Sequence, residues 1–234
     1  MPHPLVRSTG NWMRDVLPDE DVVGRVRAGE GELFELLIRR HNQRLFRAVR
    51  ARVRDDDEAE EALQEAWVSA WRRLATFENR ATFAAWVTRI ALRAAAQVAE
   101  RRARAEAVAA EAQRERGEAR AAGEGDGSDE ARDARELCVL IERSLEALPE
   151  PQRVVFALRV VEGLSTAEVA EVLNLGESAV KVRLHRARKH LAEDLLQRAR
   201  AAGALDRVWA FAGERCDRVV SNVMGRLGFD RRSA

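Results

Sequence analysis

A cationic segment between residues 178 and 189 carries side chains that could read the edges of DNA bases. Apolar residues recur at i, i+4, i+7 and i+11 from Val180 to Leu191, which predicts the side of a helix that faces a core. At 100° per residue the opposite side is mainly cationic. It consists of Ser178, Lys181, Val182, His185 and Lys189, flanked by Arg186 and Arg188, and we add Arg183 to the candidate DNA-binding residues. Short and cationic side chains of this kind suit the major groove, although a charged face that only solvates its helix is the alternative.

A helix-turn-helix is the element that must position this face. Ser165 and Glu168 have the spacing of a capping box, which predicts the start of a first helix. Asn174 to Gly176 supply residue types that end a helix and form a tight turn. The cationic helix follows at once, in the order that major-groove readers use. The pattern therefore favours DNA contact over mere solvation.

The same stretch resembles a known DNA-binding module. The strings LEALPEPQRVVFALR, EGLSTAEVA and AVKVRLHRAR, between Leu145 and Leu191, resemble region 4 of the sigma-70 family in its extracytoplasmic-function (ECF) group. The resemblance implies that this module reads the minus-35 promoter element and contacts the beta flap of RNA polymerase.

A second candidate surface lies on a helix predicted to begin at Asp55 to Asp57 and to end near Phe77. With Leu63 facing the core, one accessible side gathers acidic, amide and apolar side chains, which suit protein docking, although a solvated helix has the same pattern. They are Glu61, Gln64, Glu65, Val68 and Arg72. The string DEAEEALQEAW resembles region 2.2 of the same family, which implies binding to the beta-prime clamp helices of core polymerase.

A third candidate surface combines arginines with an aromatic ring on a helix predicted over about 81–102. Its members are Arg80, in the preceding loop, and Thr82, Trp86, Arg89 and Arg93. Arginines hold phosphates while aromatic faces accept unstacked bases, so the stripe suits single-stranded DNA. Trp86 could equally be a core residue, and both roles could hold in part. The string F-x-N-R-A-T-F-A-A-W-V-T-R-I-A resembles regions 2.3 and 2.4, which implies opening and reading of the minus-10 element.

Composition and periodicity predict an all-α fold of two small domains. The 234 residues are 46% apolar and 34% charged with a formal net charge of +1. Apolar residues recur three and four apart and no strand pattern is found. Large apolar residues are nearly absent between Ala103 and Arg135, which predicts a flexible linker there. We expect a first domain at 15–102, a linker at 103–135, a helix-turn-helix domain at 136–196 and a helical extension at 197–234.

Catalysis and metal binding have no support in the sequence. Cys138 and Cys216 lack the spacing of a zinc site, and the four histidines form no ligand pattern with acidic residues. We find no phosphate loop or nucleophile motif, and therefore expect a non-enzyme without cofactor or metal. No apolar run approaches about 18 residues, so we expect a cytoplasmic protein without membrane insertion.

The resulting hypothesis is a sigma factor that docks on core RNA polymerase and reads promoter DNA. The resemblance also implies control by an anti-sigma factor. A freestanding helix-turn-helix regulator is the alternative, since its DNA-binding module would look much the same. The extension after residue 196 lies outside the family pattern, and it could pack on the second module, bind a regulator or modulate activity.

Overall fold

The computed structural model describes residues 17–78, 82–113, 129–191, 195, 207–211 and 213–229. Within these ranges the chain contains helices and no strand, which confirms the all-α prediction. The helices are α1 (Asp19–Arg27), α2 (Phe34–Arg50), α3 (Asp56–Arg73), α4 (Phe83–Gln113), α5 (Asp129–Glu146), α6 (Glu150–Phe156), α7 (Thr166–Leu173), α8 (Glu177–His190) and α9 (Glu214–Arg226).

Helices α1 to α4 form the first module. Asp55 caps α3, as the sequence predicts, because its carboxylate accepts hydrogen bonds from the backbone of Asp57 and Glu58. Helices α2, α3 and α4 pack around a shared apolar core. Trp67 is fully buried there, and its indole nitrogen donates to Asn42 Oδ1 at 2.7 Å. This bond satisfies a polar group that would otherwise destabilise the core.

Helix α4 continues to Gln113, past Arg102, near which the third helix was predicted to end. Continuation of the helix into the first part of the linker was an alternative that the sequence left open. The residues after Arg102 are mostly alanine, arginine and glutamate, which favour helix, and no glycine or proline occurs before Gly117. The segment expected to begin the linker is therefore helical over its first turns.

Helices α5 to α8 form the second module. Helix α6 continues into one π-helical turn over Ala157–Val161 before α7 begins. The inward side of α8 is as predicted, since Val180, Ala187 and Leu191 are buried and Leu184 is partly buried. Helices α7 and α8 pack on one another and on the rest of the module, so the α8 side opposite Val180 faces outward.

The two modules lie in contact at the C-terminal end of α2. Arg50 forms an ion pair with Glu146 of α5 at 2.6 Å, and Arg47 pairs with Glu162 at 3.1 Å. A second contact joins α7 to α4. The described part of the extension contains a turn at 207–211 and helix α9, which packs on α2 and α3 of the first module. Of the alternatives for the extension, packing on the second module holds only for the turn, where the Trp209 nitrogen donates to Glu142 at 2.8 Å.

Candidate nucleic-acid and polymerase interfaces

The predicted DNA-reading face of α8 is open to solvent. The side chain of Lys181 is 69% exposed, and Val182 is 49% exposed, which is unusual for a valine in a packed module. Ser178, His185, Arg186 and Lys189 are exposed and Arg183 is half-buried. Lys181 has one acidic neighbour, Glu177, at 3.9 Å. The structure thus presents a cationic surface with short side chains at its N-terminal end.

A capping box fixes the helix that precedes α8. The backbone nitrogen of Ser165 donates to the Glu168 carboxylate at 2.7 Å, and the Glu168 nitrogen donates to Ser165 Oγ at 3.1 Å. Asn174 ends α7 in the left-handed conformation with φ 51°. Both features were predicted, and together they set the angle at which α8 leaves the module.

The capping box gives an expected pH dependence. Hydrogen bonds from the Ser165 backbone and side chain lower the pKa of Glu168 below its ordinary 4.5. Its contribution to stability is therefore present above that value and is lost as pH falls through the lower pKa of the folded chain. We expect Glu168→Ala to lower the free energy of unfolding by about 1 kcal/mol at pH 7. Urea unfolding should show the difference shrinking towards pH 3, and an unchanged difference would contradict the assignment.

The α3 face predicted to dock on protein is mostly accessible. Glu61 and Arg72 are exposed, and Gln64 and Glu65 are half-buried. Arg101 of α4 bridges the two carboxylates, at 2.9 Å from Glu61 and 3.1 Å from Glu65. The pairs hold the carboxylates in place at the surface, where such bonds contribute little stability.

Val68 was wrongly placed on this accessible face, since it is only 5% exposed. Gln64 and Arg72 lie one turn before and one turn after it on the same side of α3. Both neighbours are more exposed than Val68. The surface is thus polar and charged, without the apolar contact that the sequence suggested.

The predicted single-strand stripe on α4 is partly engaged within the chain. Trp86 is half-buried and packs on Phe77 and Phe83, with ring centroids 5.3 and 5.6 Å away. Arg89 lies 3.6 Å from Glu171 of α7. Trp86 is thus part of the packing while keeping an accessible edge.

The remaining members of the stripe lie near the start of α4 and further along it. Thr82 caps the helix by accepting from the Ala85 nitrogen at 3.2 Å, and Arg93 is exposed. Arg80 lies outside the described residues. The capping role of Thr82 was not predicted, although a threonine directly before a helix is the usual signal for it.

Both cysteine side chains form hydrogen bonds within the fold. Burial, and then the charge and hydrogen bond of Glu142, raise the pKa of Cys138 to about 12, so its thiol stays protonated. Cys216 Sγ accepts from Asn42 Nδ2 at 3.2 Å. Across the described ranges, no group of three or more His, Cys, Asp or Glu side chains could hold a metal ion. No helix in the same ranges has the length and apolarity that a membrane crossing requires.

Two helical modules with a capped helix-turn-helix define a helical DNA-binding protein, and comparison with known proteins specifies which. The model of Sigma-70 region 2 matches residues 37–105, and the model of Sigma-70 region 4 matches residues 138–191. The ECF RNA polymerase sigma-E factor of Escherichia coli is 30% identical over 180 residues, covering 76% of this chain and 94% of the relative. The RNA polymerase sigma-H factor of Pseudomonas aeruginosa is 28% identical over 174 residues, covering 73% and 90%.

The chain is also similar to proteins of known structure. CnrH in complex with the cytosolic domain of CnrY is 26% identical with a TM-score of 0.54, covering 77% of this chain and 97% of that one. RpoE of Bartonella quintana, in complex with the anti-sigma factor NepR, is 23% identical with a TM-score of 0.51, covering 74% and 98%, and supports the fold. The chain belongs to the sigma-70 family of RNA polymerase sigma factors, in its extracytoplasmic-function group. Its function is that of a sigma factor, which binds core RNA polymerase and directs promoter recognition and transcription initiation.

Proposed function

We propose that this sigma factor uses three separate surfaces. Helix α8 reads the minus-35 duplex through the residues Ser178, Lys181, Val182, Arg183, His185, Arg186 and Lys189. Helix α3 docks on the beta-prime clamp helices through Glu61, Gln64, Glu65 and Arg72, and the second module also touches the beta flap. The α4 stripe, with Arg80, Thr82, Trp86, Arg89 and Arg93, holds the opened minus-10 strand.

The observation that carries this proposal is the open cationic face of α8. Its cations point away from the module core, and only Lys181 has an acidic side chain nearby among the described residues. When such a surface binds DNA, its cations displace the counterions that the phosphates hold. Its affinity for DNA therefore falls as the salt concentration rises. Joining it by a tether to a second weak DNA contact raises the overall affinity through effective concentration.

Four further statements belong to the same proposal. The domains divide at 15–102, 103–135, 136–196 and 197–234, with the linker joining the two DNA contacts. The chain has no catalytic role of its own, because the chemistry of RNA synthesis resides in the polymerase. It works in the cytoplasm, where core polymerase and promoter DNA are found. Solved relatives bound to partner proteins support control of this chain by an anti-sigma factor.

Core-polymerase binding tests the docking face. We expect Gln64→Ala with Glu65→Ala to lower the affinity for purified core enzyme about tenfold, because two central contacts of a protein interface are lost. Glu20→Ala, an exposed acidic residue on α1, is the matched control and should bind as the wild type does. The measurement is a core pull-down followed by promoter opening.

Either of two results would contradict the proposal. Equal core binding by the wild type and the double variant would move the docking face elsewhere. Failure of the wild-type chain to bind core, together with tight binding to duplex DNA by the chain alone, would favour a freestanding regulator.

A further inference from the structure

The described C-terminal residues, 207–211 and 213–229, are called the C-terminal segment here, and they pack mainly on the first module. Phe211 and Phe46 are both buried, and their rings stack with centroids 4.2 Å apart. The guanidinium of Arg215 lies 4.9 Å from the centre of the Phe46 ring. Both family models end before this segment, so it is an addition to the family's two modules.

Phe229, the last described residue of the segment, packs against Gly31, which has no side chain. Phe229 packs edge-on against Trp71 of α3, with centroids 5.2 Å apart. A Cβ atom at Gly31 would clash with the Phe229 ring, so any other residue there would displace the ring. The glycine thus allows the close packing of Phe229 at this position.

A buried carboxylate anchors the middle of the segment. Glu60 is 7% exposed, and it accepts hydrogen bonds from Arg215 at 2.7 Å and Arg218 at 3.1 Å. In the seated state these two arginines compensate the charge of Glu60, which is largely removed from water. Detaching the segment would break both ion pairs.

The same ion cluster extends into the second module. Asp56 lies 2.8 Å from Arg215 and 2.7 Å from Arg50, and Arg50 also reaches Glu146 of α5 at 2.6 Å. Burial alone raises the pKa of Asp56, but the bonds and charges of the two arginines outweigh it and lower the pKa below 3.8. Charges on the segment, on α2 and α3, and on α5 thus stabilise one another.

A second bridge lies at the turn that precedes α9. The Trp209 backbone nitrogen donates to Glu142 of α5 at 2.8 Å, and its carbonyl accepts from Gln43 of α2 at 3.0 Å. Arg50 lies 5.6 Å from the centre of the Trp209 ring. The turn is therefore wedged between the two modules and bonded to each.

In the same structure, helix α7 of the second module packs against helix α4 of the first module. Arg89, a member of the proposed minus-10 stripe, lies 3.6 Å from Glu171 of α7. An opened DNA strand would have to replace this carboxylate to reach Arg89. Separating α7 from α4 requires the modules to move apart, which the segment opposes.

We propose that the C-terminal segment, described over 207–211 and 213–229, forms an intramolecular clasp that holds the two modules together and keeps the α4 stripe against α7 until the clasp is released. The proposed clasp is a property of the chain in the absence of polymerase, so it can be tested on the free protein. Its consequence for promoter opening rests on the function proposed above.

The test compares charge variants of the full chain in solution. Arg215→Glu with Arg218→Glu places two acids beside Glu60 and should release the segment. We expect a larger radius of gyration by small-angle scattering, and amide exchange in α7 and at the start of α4 that is about tenfold faster or more. Arg226→Glu is the control for reversing a positive charge at an exposed position of α9, and it should leave both readouts as in the wild type.

Two further variants keep the result interpretable. Adding Glu60→Arg to the double variant restores opposite charges and should recover most of the compact form. Arg215→Gln with Arg218→Gln removes the attraction without adding repulsion, and it should give an intermediate shift if the charge reversal unfolds the chain. A folded double variant with wild-type scattering and exchange would overturn the clasp, as would a shift of equal size in Arg226→Glu.

Promoter opening by the polymerase complex separates the two proposals. If the clasp limits access to the stripe, the double variant should open a weak promoter about tenfold faster than wild type at equal core occupancy. Unchanged opening despite an expanded free chain would overturn the regulatory part alone. Absence of core binding in every variant would instead count against the proposed docking face.

Discussion

Replacing Lys181 and Arg186 with alanine is expected to lower affinity for minus-35 duplex DNA about a hundredfold, while core association stays unchanged. Both residues lie on the exposed side of α8, opposite the buried Val180 and Ala187. A side chain that contacts a base or phosphate contributes about 1–3 kcal/mol, so two lost contacts correspond to roughly two powers of ten. The change leaves the module core intact, because neither side chain takes part in it.

The measurement is binding of the reconstituted holoenzyme to a promoter fragment across a range of salt concentrations. Each lost phosphate contact should reduce the slope of log affinity against log salt by about one unit. Arg73→Ala with Arg226→Ala, two exposed arginines on α3 and α9, is the matched control for the loss of two positive charges. If the control pair weakens DNA binding as much, the effect comes from net charge and the α8 face is not the reader.

Loss of Arg153 is expected to destabilise the fold more than any exposed substitution. The residue is 2% exposed, and its guanidinium donates to three backbone carbonyls rather than to a carboxylate. They are those of Ala51 at 2.6 Å, Leu148 at 2.9 Å and Glu146 at 3.2 Å. Ala51 directly follows α2, and Glu146 ends α5, so one side chain satisfies the free carbonyls at the ends of two helices in different modules.

We expect Arg153→Ala to lower the free energy of unfolding by about 3 kcal/mol, because buried carbonyls lose their donors and a cavity remains. Arg52→Ala is a matched control, since Arg52 also joins the two modules, through a pair with Glu150 at 3.4 Å, but is partly exposed. That pair should contribute less than about 1 kcal/mol. Urea unfolding measures the free energy of unfolding of both variants. An equal decrease in the two would show that the helix-end contacts of Arg153 contribute no more stability than the surface pair of Arg52.

Local features of the candidate sites could be predicted because they depend on residues a few positions apart. The capping box of Ser165 and Glu168, the turn at Asn174 and the inward side of α8 all follow from helical geometry over short stretches. The same geometry failed at Val68, since a helical wheel treats every side chain on a face alike. The burial of Val68 depends on the packing of the folded chain around it, which the wheel does not contain.

Contacts between distant residues could not be predicted in the same way. Nothing about Glu60 in the sequence indicates that Arg215 and Arg218 neutralise it, because 155 and 158 positions separate the partners. The role of Arg153 was hidden for the same reason, since an arginine in a helical segment usually predicts a solvated surface. The pairing of Arg89 with Glu171 likewise appears only when the two modules are placed together.

The sequence by itself determined the all-helical class, the capped helix-turn-helix and the faces that carry its cationic and acidic side chains. These properties are encoded in residue type and in spacings of three, four and seven, which act within one helix. Only the tertiary structure decided that α9 packs on the first module, that Arg153 caps helices of both modules and that Arg89 pairs with Glu171 of α7. Such contacts are selected by the fit of surfaces far apart in the chain, and that fit exists only once the helices have packed.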